Sequence, residues 1–297
     1  MNGSRITDFR DDGILNPKLG IHVSLLLLAF LSPAFAYNVI FSSTTVPPGQ
    51  TLRVEMDQVS PHSHYRIYFR QKIYPVFAIG PNVQRALIGI PLGLTPRTYK
   101  LQIKHLAGNP PRWKEPKDFS IIVSSITYPI ENITLPPAKM ALFKYEARET
   151  RLIYKALHVI VPEQSWEGEF SPPVEGKKVG EFGVSRLANH KPYEFHKGVD
   201  LEAPEGTPIR AANSGRVEIA SAFKLHGRTV IVDHGQGVMS IYLHMKAIKV
   251  RPGQKVSKGD VLGYVGSTGL STAPHVHWGV YVYGIPVDPQ QWEETSF

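Results

Sequence analysis

Residues 228–244 read RTVIVDHGQGVMSIYLH, and the reading of this stretch decides the fold. Thr229 to Val232 and Met239 to Leu243 are rich in β-branched and large apolar residues, and Asp233-His234-Gly235-Gln236-Gly237 lies between them. Two such runs around a glycine-rich turn predict a pair of antiparallel strands. In the second run Met239, Ile241 and Leu243 alternate with Ser240, Tyr242 and His244. Period two sends the first set toward a core and the second, His244 included, to the opposite face, where a cleft is expected.

The same rhythm continues outward. Residues 250–269, VRPGQKVSKGDVLGYVGSTG, alternate glycine turns with short apolar strands, and further strands are expected around Asn213-Ser214-Gly215 and Gly259-Asp260. From about Trp166 onward the chain therefore reads as a compact β-sandwich with tight corners. Nearer the N-terminus, Leu52, Val54 and Met56 alternate with Arg53 and Glu55. Tyr65, Ile67 and Phe69 alternate with Arg66 and Tyr68, and Tyr99, Leu101 and Ile103 with Lys100 and Gln102. Turn signals at Pro47-Pro48-Gly49, Gly80-Pro81-Asn82 and Gly108-Asn109-Pro110-Pro111 separate these runs. They predict a small antiparallel sandwich over residues 37–126. Pro136-Pro137 then opens a predicted helix to about Leu157, inside a linker spanning residues 127–165. Leu142, Tyr145, Leu152, Ile153 and Ala156 lie near one face and Lys144, Arg148, Arg151 and Lys155 mostly opposite, as in a connector docked on a neighbour.

Composition narrows the chemistry. The 297 residues contain no cysteine, which removes disulfides, thiolate metal sites and cysteine nucleophiles together. Any metal must be held by histidine and carboxylate. The formal net charge of +8 suits nucleic acid, anionic membrane or an acidic polymer alike. No nucleic-acid module and no long basic run is present, so no nucleic-acid partner is expected. Ile21 to Phe35, about 15 apolar residues, is shorter than the ~20 a membrane span needs. It follows Lys18 and ends in Pro33-Ala34-Phe35-Ala36. This predicts a signal peptide over residues 1–36, cleaved near Ala36, leaving an exported protein without a stable membrane span.

Three short segments carry reactive side chains. In His196-Lys197-Gly198-Val199-Asp200, His and Asp four apart fall on one side of a helix or a strand, and Gly198 favours the extended or looped alternative. In His275-Val276-His277-Trp278, two imidazoles on a strand share a face, with Val276 and Trp278 on the other. His244 is the third. Imidazole and carboxylate suit zinc, whose catalytic sites use three protein ligands and keep one position open. Two His and one Asp would leave a net charge of about +1, enough to acidify a bound water. Spacing alone does not decide which of His275 and His277 is a ligand. His62 and His64 lack further ligands nearby; His234 reads as structural, and His190 and His226 as exposed or groove-lining. Tyr193, Tyr242 and Trp278 suit substrate contact or core packing equally.

Taken together, GEFGVSR, HKGVDLEAPEGTPIRAANSGRV, GRTVIVDHGQGVMSIYLHM and KVSKGDVLGYVGSTGLSTAPHVHWGVYVYGIPVDPQQW resemble the LytM/lysostaphin-type zinc metallopeptidases. The match runs from about Phe170 to Trp292. It implies an antiparallel β peptidase domain over residues 166–297, one Zn2+ held by His196, Asp200 and His277, and His244 and His275 as non-ligating catalytic histidines. It also implies hydrolysis of peptide bonds in peptidoglycan stems or cross-bridges, with peptidoglycan peptides as the partner and the periplasm or cell wall as the location. The connector and its proline-rich entry are similar to exported two-domain members with an immunoglobulin-like N-terminal domain.

The rival is a catalytically silent module that binds the wall or activates an amidase. Such modules lose ligands, and here all five polar positions are present. A carrier-type sandwich would need an exposed modified lysine in a hairpin and neither HxxxD nor HxH.

Overall fold

The computed structural model describes residues 37–60, 62–108 and 110–297. The expected signal peptide and its cleavage after Ala36 lie outside the described residues, as do Pro61 and Asn109. Tyr37–Phe297 forms one contact unit. Among the described residues no helix is long and apolar enough to cross a membrane.

The period-two runs near the N-terminus form ten strands: β1 (Asn38–Phe41), β2 (Thr45–Val46), β3 (Thr51–Asp57), β4 (His64–Phe69), β5 (Lys72–Tyr74), β6 (Phe77–Ala78), β7 (Val83–Gly89), β8 (Arg97–Ala107), β9 (Arg112–Trp113) and β10 (Lys117–Val123). One sheet has the order β1-β3-β7-β6 and the other β2-β10-β8-β4-β5, with β9 beside β8. Alternation explains the packing. Leu52, Val54 and Met56 of the first sheet and Ile67, Phe69, Leu101, Ile103 and Ile121 of the second are each at most 1% exposed. The two-residue β2 runs parallel to β10, a pairing that periodicity does not announce.

The linker supplies β11 (Ile130–Ile133), α1 (Pro137–Met140), a 3-10 turn (Ala141–Tyr145) and α2 (Glu146–Leu157). The predicted helix thus has the expected ends but tightens in its middle. Its buried stripe is Glu149, Ile153, Ala156 and Leu157, whereas Leu152, expected on the docked face, is 43% exposed. At about 100° per residue Leu152 lies on the flank of this stripe, on the side of Glu149 away from Ile153 and Leu157.

The remaining strands are β12 (Lys177–Gly180), β13 (Ser185–Ala188), β14 (Lys191–Phe195), β15 (Val199–Glu202), β16 (Pro208–Arg210), β17 (Gly215–Ala222), β18 (Arg228–Gly235), β19 (Val238–Met245), β20 (Ala247–Ile248), β21 (Lys255–Val256), β22 (Val261–Tyr264), β23 (His275–Val282) and β24 (Ile285–Val287), followed by α3 (Pro289–Glu294). The main sheet is antiparallel with the order β12-β15-β23-β19-β18-β17-β21, and β24 pairs with β23. A small sheet β16-β22-β20 forms a separate layer, and β11-β13-β14 forms a third, in which β11 lies parallel to β13.

The two faces of β19 differ from the sequence expectation. Ser240 and Tyr242, expected beside a cleft, are fully buried, and Tyr242 belongs to the principal core with Trp278, Val280 and Val282. Met239, Ile241 and Leu243 meet a second cluster instead, beneath Ile153, Ala156 and Leu157 of α2. Both faces are apolar because both are covered. The hydrogen bonds that satisfy the buried polar groups explain Ser240 and Tyr242: the Tyr242 hydroxyl accepts from Ala212 N–H at 2.8 Å and from Ser240 Oγ at 2.9 Å.

The C-terminal helix ties the sandwich to the large sheet. Trp292 is 1% exposed, donates from Nε1 to Thr51 Oγ1 at 3.0 Å, and packs edge-on against Phe170 and Trp166. Trp292→Ala should therefore cost about 3–5 kcal/mol of stability through the cavity it leaves. Denaturant unfolding measures this, and a loss below about 1 kcal/mol would show that the ring fills no essential space.

Candidate metal centre

The centre begins with a strand register. β15 pairs antiparallel with β23 so that Asp200 lies opposite His277 and Glu202 opposite His275. Residues directly opposite share a face, so Asp200, His275 and His277 are presented together while Val199, Leu201, Val276 and Trp278 fill the core. Gly198 makes this approach possible. A Cβ there would stand 2.3 Å from the Trp278 carbonyl oxygen and 2.8 Å from His277 Nε2. His196 is fixed just before β15 by paired backbone bonds: its N–H to the Val184 carbonyl, and Gly183 N–H to its own carbonyl, both at 2.8 Å.

Three donor atoms meet at this point. His196 Nε2 is 3.1 Å from Asp200 Oδ1 and 3.0 Å from His277 Nδ1, and His277 Nδ1 is 2.9 Å from Asp200 Oδ1. All three residues are buried. His196 Nδ1 lies 2.7 Å from the Glu181 carbonyl, which can only accept, so Nδ1 carries the proton and Nε2 offers a lone pair to the centre. Ligands bound to zinc at 2.0–2.1 Å with tetrahedral angles stand roughly 3.3 Å apart. The donor set and its spacing fit such a cation. Arg186 occupies the far side of the carboxylate, with Nη2 2.6 Å from Asp200 Oδ2 and Nε 3.2 Å from Glu131 Oε2. It thereby leaves Oδ1 to face the imidazoles.

Two further imidazoles stand beside the three. His275 Nε2 is 3.9 Å from Asp200 Oδ1, and its Nδ1 is 2.8 Å from the Ala273 carbonyl. His244 Nδ1 is 2.9 Å from the Thr268 carbonyl, and its ring centre is 4.9 Å from that of His275 and 6.5 Å from that of His277. In both rings the proton sits on Nδ1 when neutral and Nε2 carries the lone pair. Strict alternation would have turned His244 into the core behind Tyr242. Instead His244 has φ +64°, and the β18–β19 register shifts between Arg228 and Val230. This bulge brings the ring round to the side of Leu243 and His277.

Each singled-out residue has a definite place. His234 is fully buried, between the Ser214 carbonyl and Ser240 Oγ at 2.7 Å each, and is structural. Trp278 and Tyr242 are core residues. His226 is half-buried and lines a groove, His190 is exposed, and neither His62 nor His64 joins a metal-type group among the described residues. Two cavities of about 280 and 300 Å3 flank the centre. Arg186, Tyr193, His244 and Leu270 border both. Arg186 and the Glu181 carbonyl escaped the residue-level reading, although both belong to the stretch GEFGVSR. Their signal was position in that motif, since neither residue type suggests metal chemistry.

The fold and the site define a peptidase domain. Residues 194–289 match peptidase family M23. Those residues thus form an M23 peptidase domain within the chain. Over 97 residues, 33% of this chain, it is 39% identical to the DD-carboxypeptidase/endopeptidase Mpg of Neisseria meningitidis. Over 93 residues, 31% of this chain, it is 40% identical to the peptidoglycan DD-endopeptidase ShyA of Vibrio cholerae. In each case the aligned part spans 22% of the relative's length. A Pseudomonas aeruginosa crystal structure assigned to peptidase M23 is 29% identical with a TM-score of 0.63, over 83% of this chain and 94% of that one. That likeness extends beyond the matched domain into the N-terminal part.

Burial governs the charge of the centre. It drives His277 down to about 4, against the raising pull of Asp200, and drives His244 down to about 3 with help from His275 and His277. Burial alone would raise the Asp200 carboxyl, but the His196 and His277 rings hold it well below the ordinary range. A depressed imidazole is neutral when folded and protonated when unfolded, so its contribution is complete above about pH 6.5 and is lost as pH falls through the folded value. In metal-free protein, His244→Asn removes this dependence. Its deficit relative to the parent should narrow by about 2 kcal/mol from pH 6.5 to 5. Urea midpoints at the two pH values test this; a constant deficit would place an ordinary imidazole at His244.

Proposed function

We propose that the domain over residues 166–297 is a zinc-dependent endopeptidase that cleaves peptide bonds in peptidoglycan stems or cross-bridges. The observation that carries this reading is the meeting of His196 Nε2, Asp200 Oδ1 and His277 Nδ1 within 3.1 Å of one another, with two more imidazoles alongside. The relatives named as peptidoglycan or DD-endopeptidases support the substrate class. An exported location, with the leader removed near Ala36, follows from that substrate. The order β1-β3-β7-β6 against β2-β10-β8-β4-β5 matches the two sheets of an immunoglobulin sandwich and supports that reading of residues 37–126.

His196, Asp200 and His277 would hold the ion, and Arg186 would keep Asp200 on one oxygen. Zinc, when bound, supplies a Lewis acid that polarises a carbonyl and acidifies water. The other steps belong to the side chains. In both His244 and His275 Nδ1 donates to a backbone carbonyl and leaves Nε2 unprotonated; His275 Nε2 stands 3.9 Å from Asp200 Oδ1, and the His244 ring lies beside it. One can take a proton there as the scissile carbonyl is attacked. The resulting imidazolium can return that proton to the departing amine, while the other ring lies beside the developing oxyanion. The silent-module reading is disfavoured because the three donors and both flanking imidazoles converge.

Asp200→Ala and His277→Ala should lose both zinc and hydrolysis. His275→Ala should keep zinc while its rate falls by roughly 10² or more. Mass spectrometry of defined muropeptides, with chelator and zinc add-back, reads bond choice and metal dependence together. Zinc retained by the Asp200 variant, or lost from the His275 variant, would overturn the ligand assignment.

A further inference from the structure

The helix α2 reaches the centre by an indirect route. Glu149, in its first turn, is 5% exposed. Its Oε1 accepts from Lys224 N–H at 2.6 Å, and its Oε2 accepts from Leu225 and His226 N–H at 3.0 and 3.1 Å. His226 Nδ1 lies 3.0 Å from the same Oε2. Three consecutive backbone donors thus converge on one carboxylate, a cradle of the kind that binds anions in loops. Burial pushes this carboxyl up, yet these bonds outweigh it and hold it below its ordinary value.

The cradled segment, between β17 and β18, is also the wall that fixes Thr268. Gly227 approaches so closely that a Cβ would stand 2.4 Å from the Thr268 carbonyl oxygen. Arg228 N–H donates to Thr268 Oγ1 at 2.9 Å, Thr268 Oγ1 donates to the Met245 carbonyl at 2.8 Å, and Leu270 N–H donates to the Leu225 carbonyl at 2.7 Å. The Thr268 carbonyl is the acceptor for His244 Nδ1, and His244 N–H itself points to the His226 carbonyl at 3.4 Å. A histidine at φ +64° keeps that backbone only where its surroundings over-determine it.

We propose that Glu149 is a positioning residue for His244. By fixing the backbone of residues 224–226 it holds the Thr268 carbonyl in place, locks the Nδ1–H tautomer of His244 and aims Nε2 at the centre. The working unit then includes a helix outside the M23 match at residues 194–289 and outside the domain proposed at 166–297. The inference rests on the reading that His244 acts in hydrolysis.

The test uses the full chain, zinc-loaded, with Glu149→Gln. This variant keeps one acceptor oxygen and turns an amide NH2 against the loop's donors. Zinc content and KM should stay about as in the parent, while kcat falls roughly tenfold or more. The nitrogen-15 signals of the His244 ring should change from a single Nδ1–H form to a mixture of tautomers. Ala156→Gly, which loosens the same helix without touching Glu149, serves as the control for lost stability alone. It should lower Tm and leave kcat and the His244 signals unchanged. Unchanged His244 signals in Glu149→Gln, or a kcat loss no larger than in the control, would overturn the proposal. Should Glu149→Gln not fold, Glu149→Asp keeps the charge, withdraws it by one methylene and is read by the same two measurements. Should the parent hydrolyse no muropeptide, the hydrolase reading fails, and the His244 signals still decide the positioning claim.

Discussion

The register between β15 and β23 is the constraint on which the rest depends. A slip of one residue would put Asp200 and His277 on opposite faces of the sheet and destroy the centre. The centre itself contributes little to the register: one contact, His277 Nδ1 to Asp200 Oδ1 at 2.9 Å, links β23 to β15, while a neutral His196 turns the lone pair of Nε2 on Asp200 Oδ1 at 3.1 Å. The enforcement comes from behind. Val199, Leu201, Val276 and Trp278 are at most 7% exposed on the reverse face, and each large apolar side chain contributes about 1.5–3 kcal/mol on burial. The core therefore supplies most of what holds the donor atoms in this arrangement.

Orientation is added by backbone carbonyls. The carbonyls of Glu181, Thr268 and Ala273 each fix one imidazole by accepting a hydrogen bond from its Nδ1–H. Carbonyls suit this task because they cannot donate, so the tautomer is set by geometry and does not depend on another titrating group. The stretch GEFGVSR is dense in such support: it holds the Glu181 carbonyl, the backbone clasp of Gly183 and Val184 on His196, and Arg186 on Asp200. Through β11, parallel to β13, the linker touches this scaffold as well, and Glu131 bonds Arg186.

What the amino-acid sequence reveals follows from where its periodicities hold. His275 and His277 share a face as expected because Val276 and Trp278 between and after them are apolar and buried. The first-sheet run Leu52, Val54, Met56 was legible for the same reason. Unbroken alternation puts His244 on the face opposite Leu243, whereas the ring reaches the centre through a bulge with positive φ. No residue type at 244 announces that conformation. In sequence, Ser240 and Tyr242 look like a solvated face until their hydroxyl partners are known, and of the two places open to Tyr242 the core is the one it takes. Asp200 and His277 stand 77 residues apart, and no local pattern joins them; only the likeness of whole motifs did.

The second face of the sheet explains why the linker cannot be a passive tether. Ile231, Met239, Ile241, Leu243 and Tyr281 form an apolar surface on the same face as His277 and Asp200. Left bare, it would expose a large hydrophobic patch; covered throughout, it would seal the centre. α2 covers the part under Ile153, Ala156 and Leu157 and ends its coverage at the imidazoles, so that a cavity opens between the helix and His196, His244 and His277. The second cavity continues past His275 and Asp200 toward Glu131 and Ile133 of β11. The linker thus walls the groove at both ends, through a helix on one side and a strand on the other. The face is half covered because stability requires a cover and chemistry requires an opening, and the boundary between the two falls at Leu243 and His244.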